Sequence, residues 1–417
     1  MVGVTKHNTP ALRFAGFSGG WDTPSLGDLG VPVSGVGFPH SEQGGEAGIP
    51  FFKVSDMSRS ANERELLFAA NYVSAEQVKK RGWQVVNGPA VAFAKVGAAV
   101  LLDRKRLVRE RFLADNNMMA FVLSQTALTP DFALSLFGTL SLSSLVQVGA
   151  LPSINGSQVK AMKVSIPPNL EEQRATGEFF ADLDALIEQH RAKHANLQQT
   201  KTALMQRMFS QDGADEPELR LEGFNGAWVS RPLGDLGTPI SGVGFPQSEQ
   251  GGEVGTPFFK VSDMSRSANE RELLFAANYV SAEQIRKRGW QVINGPAVVL
   301  AKVGAAVLLD RKRLVREPFL ADNNMMAFVL SQTALTPDFA LSLFETLSLS
   351  SLVQVGALPS INGSQVKAMQ VSIPPTLEEQ RAIGEIFADL DALIAAEHRY
   401  ITQLTQAKTA LLQRMFV

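Results

Sequence analysis

Residues 170–209 read LEEQRATGEFFADLDALIEQHRAKHANLQQTKTALMQRMF, and residues 377–416 read LEEQRAIGEIFADLDALIAAEHRYITQLTQAKTALLQRMF. In the first stretch, positions 180, 183, 187, 190, 194, 197, 201, 204 and 208 advance in alternating steps of three and four, the heptad seam of a coiled coil. They hold Phe180, Leu183, Ile187, His190, His194, Leu197, Lys201, Leu204 and Met208. The second stretch holds Phe387, Leu390, Ile394, Glu397, Ile401, Leu404, Lys408, Leu411 and Met415 at the matching places. Asn169 with Glu172, and Thr376 with Glu379, have the spacing of a capping box, which predicts where each helix begins. Two such helices in one chain most simply pack against each other.

The two stretches are the ends of the two copies of one long repeat. A shift of 207 residues lays Leu12 on Leu219, Lys53 on Lys260 and Phe209 on Phe416 without a gap. Pro50 through Gln77 recurs unchanged as Pro257 through Gln284, and Phe112 through Phe137 recurs as Phe319 through Phe344. Divergence concentrates in one place, where the nine residues Glu188 to Asn196 all differ from Ala395 to Gln403. The period is far longer than that of a solenoid, and each copy is the size of a domain.

Before its helix, each copy reads as mixed structure. Apolar runs such as Pro50-Phe51-Phe52-Lys53-Val54 and Ala90-Val91-Ala92-Phe93-Ala94 predict strands. Glycine-rich punctuation marks turns, as in Ser34-Gly35-Val36-Gly37-Phe38-Pro39 and Asn87-Gly88-Pro89. Residues 130–145 carry an apolar face of Phe132, Leu136, Leu140 and Leu145 and predict a helix. The expected organisation is an N-terminal tail (1–11), a module (12–168), a long helix (169–210), a linker (211–218), a second module (219–375) and a second long helix (376–417).

The 417 residues are 45% hydrophobic and 19% charged, an ordinary globular balance. Cysteine is absent, which excludes disulfides and thiolate-bound metals and suits a reducing cytoplasm. No apolar run is long enough to cross a membrane. A net charge of −2 argues against indiscriminate coating of nucleic acid, though not against a local basic face. The helical seam from 180 to 208 covers about 42 Å at 1.5 Å per residue. One turn of B-DNA is about 34–36 Å, so a module at each end of such a pair would stand slightly more than one turn apart.

Several segments suit DNA. Basic runs occur at Lys79-Lys80-Arg81 and at Arg104-Lys105-Arg106 with Arg109. Their counterparts are Arg286-Lys287-Arg288 and Arg311-Lys312-Arg313 with Arg316. Such cations can neutralise phosphates or reach guanine, or they can simply be solvated turns. Ser34, Gly35 and Gly37 (Ser241, Gly242 and Gly244) form either a mobile loop that approaches DNA or a plain turn. Lys53, Ser55, Asp56, Arg59, Asn116 and Asn117, with Lys260, Ser262, Arg266, Asn323 and Asn324, supply groups for base edges or for strand-end hydrogen bonds.

No catalytic or metal-binding residues are expected. The five histidines are His7, His40, His190, His194 and His398, and none recurs between copies. His190 and His194 are spaced for a metal pair, yet read better as polar seam positions that set register. Asp103-Arg104-Lys105 lacks the upstream carboxylate of a nuclease site. Ala94-Lys95-Val96-Gly97 is poor in glycine for a dinucleotide loop, and no phosphate-binding G-x-x-x-x-G-K-[ST] loop occurs.

The order of these elements resembles the specificity subunits of type I restriction–modification systems. The resemblance lies in Leu12-Arg13-Phe14, Gly16-Phe17, Trp21, Leu26-Gly27-Asp28-Leu29, Gly35-Val36-Gly37-Phe38-Pro39, Pro50 to Met57, Ile166-Pro167-Pro168 and Leu170-Glu171-Glu172-Gln173-Arg174, all recurring in the second copy except that Leu221 stands in place of Phe14. It implies an α+β protein: two similar mixed α/β target-recognition domains separated by two long helices in an antiparallel coiled coil, with a pseudo-two-fold. Leu183, Ile187, Leu197, Leu204, Leu390, Ile394, Leu404 and Leu411 would line that coil. The resemblance further implies double-stranded DNA as ligand, two methyltransferase subunits docked on the helices, and endonuclease/translocase subunits. Those partners would use S-adenosylmethionine, ATP and Mg, while this chain binds no cofactor. Such subunits usually carry two unlike domains, whereas here the domains nearly match, which implies an inverted-repeat target. A coiled-coil scaffold without DNA contact is the competing reading.

Overall fold

The computed structural model describes residues 8–146, 152–210, 216–353 and 359–417. The expected tail and linker lie partly outside the described residues, at 1–7 and 211–215, and His7 lies outside them too. The first copy contains α1 (Leu26–Leu29), β1 (Gly30–Ser34), β2 (Ile49–Phe52), β3 (Tyr72–Val73), α2 (Ala75–Arg81), β4 (Ala90–Ala94), β5 (Lys105–Val108), β6 (Leu113–Ala114), β7 (Met118–Leu123), α3 (Pro130–Thr139), α4 (Gly156–Ala161) and α5 (Leu170–Met208). The second contains β8 (Val229–Pro232), α6 (Leu233–Leu236), β9 (Gly237–Ser241), β10 (Thr256–Phe259), β11 (Tyr279–Val280), α7 (Ala282–Arg288), β12 (Ala297–Ala301), β13 (Lys312–Val315), β14 (Leu320–Ala321), β15 (Met325–Leu330), α8 (Pro337–Thr346), α9 (Gly363–Ala368), β16 (Gln370–Ile373) and α10 (Leu377–Met415).

Each module is built on an antiparallel four-stranded sheet, ordered β1-β7-β4-β5 in one copy and β9-β15-β12-β13 in the other. A second sheet, β3-β2-β6, mixes an antiparallel and a parallel pairing, and β11-β10-β14 repeats it. β8 and β16 pair antiparallel, and the first copy keeps only the bridges Asp22↔Ile166 and Ser25↔Lys163 there.

β4 is buried along its whole length because the sheet is covered on both faces, which is why its sequence is a continuous apolar run. Val91 and Phe93 face Phe121, Phe132 and Phe137, whereas Ala90 and Ala92 meet Phe52, Met57 and Phe112. The helix expected over 130–145 is shorter, for α3 stops at Thr139 and a 3-10 turn follows at Leu142–Leu145. Serine chemistry explains the break. Ser144 Oγ donates to the Ser141 carbonyl and Ser141 Oγ pairs with Ser143 Oγ, offering the backbone an alternative to the helix.

α5 and α10 are each 39 residues long, and all eighteen heptad positions are buried or half-buried. The chain divides into two compact units, residues 1–190 with 400–417, and residues 191–399. Each unit therefore joins one module to segments of both long helices. Within the first unit, Asp184 pairs with Lys408 and the ring of His190 lies 4.5 Å from that of Tyr400. Within the second, Lys193 reaches Glu397 and Lys201 reaches Asp391, both at 2.6 Å. In both, numbers rise along one helix as they fall along the other, so the helices run antiparallel.

Compactness does not follow the repeat boundaries. Met415 and Phe416, from the end of the second copy, belong to the first module's core. Met208 and Phe209, from the end of the first copy, belong to the second module's core. The exchange is reciprocal, and backbone bonds fasten it: Leu12 N–H donates to the Arg414 carbonyl at 2.9 Å, and Leu219 N–H to the Arg207 carbonyl at 2.8 Å.

Candidate nucleic-acid interface

The residues that carry the family resemblance build a joint rather than a ligand site. Arg13 Nε and Nη2 donate to the Glu172 carboxylate at 2.6 and 2.7 Å, and Trp21 Nε1 donates to the same group at 3.3 Å. Gln173 accepts from Thr129 N–H and donates to the carbonyls of Ala127 and Pro167. Arg220, Trp228, Glu379 and Gln380 repeat the arrangement. The predicted capping box is accordingly not made in the first copy, although its cap residue still serves. Asn169 Oδ1 accepts from Glu171 N–H at 2.7 Å, but Glu172 is drawn away to Arg13, which offers a charge-assisted, two-pronged bond.

The second basic run is neither a solvated turn nor a free cationic face, because most of it lies on β5 and is used internally. Arg106 donates to the carbonyls of Asn62 (2.6 Å), Met57 (3.0 Å) and Lys105 (2.9 Å). Burial, with Arg104 nearby, holds its pKa below the ordinary arginine value. Lys105 donates to the Leu140 carbonyl at 2.7 Å and pairs with Asp103 at 2.9 Å, and burial lowers its pKa. Arg109 is bound by Glu65 and Asp131 at 2.9 and 2.8 Å. Lys312, Arg313 and Arg316 are held in the same way. On α2, Arg81 is bound to Glu42 at 2.7 Å, whereas Lys79 and Lys80 are exposed; Arg288 likewise binds Glu249, and Arg286 and Lys287 are exposed.

What remains gathers around the 3-10 turn Val54–Ser58 and the adjoining end of the four-stranded sheet. Lys53 Nζ donates to Gln43 Oε1 at 3.2 Å, and Arg104 Nη1 to Ser58 Oγ at 2.6 Å. Ser55, Arg59 and Asn116 are exposed, although Arg59 also touches buried Asp56 at 3.3 Å. Asp115 N–H donates to the Phe52 carbonyl, Asn117 N–H to Asp115 Oδ1, and Lys95 N–H to the Asn117 carbonyl. Burial pushes the Asp115 carboxyl up, and the Asn117 N–H partly offsets it. Lys260, Ser262, Arg266, Arg311, Asn323 and Asn324 occupy the equivalent places. Lys95 and Lys302 belong to this group, although in the sequence the strand-end lysine stands out only within a stretch too poor in glycine for a dinucleotide loop. The signal available was a single cation closing the buried run Ala90–Ala94.

The segment Ser34–Pro39 is tied down rather than free. Gly35 N–H donates to the Met118 carbonyl and Val36 N–H to the Ala114 carbonyl, both within 2.9 Å. A Cβ on Gly35 would lie 1.8 Å from the Asp115 carbonyl oxygen, so that glycine answers a close internal approach, while Gly37 faces open space. Gly242 and Gly244 repeat the contrast. Phe38 stacks on Phe51 with ring centroids 3.7 Å apart, anchoring the segment's far end.

His190 rests edge-on against Tyr400, and His194 lies 5.9 Å from His398. Among the described residues, no group of three or more histidine, aspartate or glutamate side chains is placed to hold a metal ion, and no helix is long and apolar enough to cross a membrane.

The class defined by this geometry is a twice-repeated α+β module, each copy rooted on a pair of antiparallel helices and carrying cations around one sheet end. The model of the type I restriction modification DNA specificity domain matches residues 19–199 and again 225–406, so the chain belongs to that family. As a member it is a recognition protein rather than an enzyme. A candidate type I restriction enzyme MjaX specificity subunit of Methanocaldococcus jannaschii is 39% identical over 57 residues, 14% of this chain and only 13% of that relative's length. The crystal structure of the type I restriction–modification S subunit from M. genitalium superposes over 98% of this chain and 99% of its own, with a TM-score of 0.67 at 15% identity. A chain from a structural study of complex assembly and conformational transition in a type I system superposes over 95% of this chain and 97% of its own, with a TM-score of 0.52 at 17% identity. At these identities the likeness is one of fold.

Proposed function

We propose that this chain is the DNA sequence-specificity subunit of a type I restriction–modification complex, and that its two modules read the same half-site on opposite strands. One observation carries the reading: a DNA specificity domain is matched twice, on copies whose bodies are nearly unchanged. Two equal readers related by a two-fold specify an inverted repeat with a nonspecific spacer. In this proposal Lys53, Ser55, Arg59, Lys79, Lys80, Arg104 and Asn116, with their counterparts, face DNA, and Lys105, Arg106 and Arg109 serve the fold. The helix pair sets the spacing and docks two methyltransferase subunits, which endonuclease/translocase subunits join. Those partners hold S-adenosylmethionine, ATP and Mg, and this chain holds none of them.

The test is methylome sequencing of a cell expressing the chain with its modification subunits. The expected result is methylation at a palindromic, interrupted sequence that disappears when the chain is withheld. Two unrelated half-sequences would overturn the inverted-repeat proposal. No chain-dependent methylation would overturn the specificity reading and favour a scaffold.

A further inference from the structure

We propose that Lys95 with Ser34, and Lys302 with Ser241, form a phosphate-gripping pair in each module; this rests on the reading of the chain as a DNA-binding subunit. The pair is assembled only by the sheet. Ser34 closes β1 and Lys95 follows β4, and these strands are not neighbours, since β7 lies between them. The lysine reaches across the start of β7 and its Nζ donates to Ser34 Oγ at 3.1 Å; Lys302 does the same to Ser241 at 3.0 Å.

Charge distinguishes this lysine from the cations around it. Arg81, Lys105 and Arg109 each have a carboxylate within 3 Å. Among the described residues no carboxylate lies within ion-pairing distance of Lys95 or Lys302, and the nearby Asp115 turns Oδ1 to the Asn117 N–H. The ammonium is therefore held in place by a neutral hydroxyl while its charge stays uncompensated. It retains two N–H donors, and Ser34 Oγ, having accepted one bond, keeps its own proton to give. Two ammonium N–H groups and one hydroxyl, all donors beside a fixed positive charge, match the all-acceptor oxygens of a phosphate. Asn116 stands exposed in the adjoining turn, next to Asn117, whose carbonyl holds the Lys95 backbone N–H. The pair would thus fix a module's register on the duplex backbone, leaving base discrimination to neighbours such as Asn116 and Arg104.

The experiment measures binding of random-sequence duplex DNA by the full chain assembled with its modification subunits, across a salt series. Lys95→Gln with Lys302→Gln should weaken binding to all sequences alike. Their slope of log affinity against log salt should be shallower by about 0.9 per lysine, or about 1.8 for the pair. Lys95→Arg with Lys302→Arg should recover most of the affinity. The methylated sequence should be the same in every variant that still methylates. If the wild-type complex binds DNA and the glutamine variant, with an unchanged melting temperature, keeps the same affinity and slope, the phosphate grip is overturned. A changed methylation sequence would overturn it too, by making the lysine a base reader. If the wild-type complex binds no DNA at any salt concentration, the specificity reading fails, and this inference falls with it.

Discussion

Phe416 stacks on Phe132 with ring centroids 5.3 Å apart and planes inclined by 28°, although the two residues come from different copies of the repeat. Phe209 makes the same contact with Phe339 at 5.5 Å. Each recognition module is thus completed by the last turn of the other copy's helix, and an isolated repeat lacks part of its own core.

This exchange sets the cost of truncating either ring. Phe209→Ala should destabilise the second unit by about 3–4 kcal/mol, and Phe416→Ala the first by somewhat less. The order follows exposure, 2% for Phe209 against 9% for Phe416. Urea unfolding of the two variants checks it. Equal, negligible losses would mean that neither ring closes a core.

The ion network at the foot of each module predicts an asymmetry. Asp184 holds Lys408 and touches Arg64, and among the described residues no second carboxylate pairs with Lys408, residue 138 being glycine. In the second unit Lys201 is held by Asp391 at 2.6 Å and also by Glu345 at 2.7 Å. Burial opposes the charge on Lys201, but the two carboxylates outweigh it and raise its pKa. Asp184→Asn should therefore cost more stability than Asp391→Asn, on the order of 1–2 kcal/mol for the former. Thermal melts of both variants decide the order.

Two glycines two residues apart should behave oppositely. Gly35→Ala forces a Cβ to within 1.8 Å of a carbonyl oxygen, whereas Gly37→Ala meets nothing within 4 Å. The first should destabilise by about 2–3 kcal/mol and the second should leave the melting temperature unchanged. A harmless Gly35→Ala would mean that this segment yields easily.

The buried carboxyls Asp115 and Asp322 give a pH signature. Burial raises both above the ordinary value of 3.8, with the neighbouring asparagine N–H groups opposing the shift. The folded chain then keeps these protons to higher pH than the unfolded chain does. The stability they contribute is full below 3.8 and is lost as the pH rises through the folded value. Asp115→Asn with Asp322→Asn should flatten that loss, as measured by urea unfolding at acid and neutral pH. An unchanged or steeper decline in the variant would contradict the sign.

The long helices, the repeat and the strands were legible in the sequence because each depends on local pattern. Heptad spacing reports which face of a helix is buried, and the unbroken apolar run at Ala90–Ala94 reports a strand covered on both sides. The surroundings of the basic run at 104–109 were not legible, for a physical reason. Composition shows that cations exist at 104–109 but not that Asn62, Met57, Glu65 and Asp131, distant in sequence, are folded against them.

By itself the sequence determined a doubled α+β module, an antiparallel-capable helix seam and the absence of any thiol. Only the tertiary structure decided which copy's helix closes which core, which cations are left without a carboxylate, and that Lys95 stands beside Ser34. Those are questions of long-range proximity, and proximity between residues far apart in the chain is set by sheet order and side-chain packing, which no local pattern encodes.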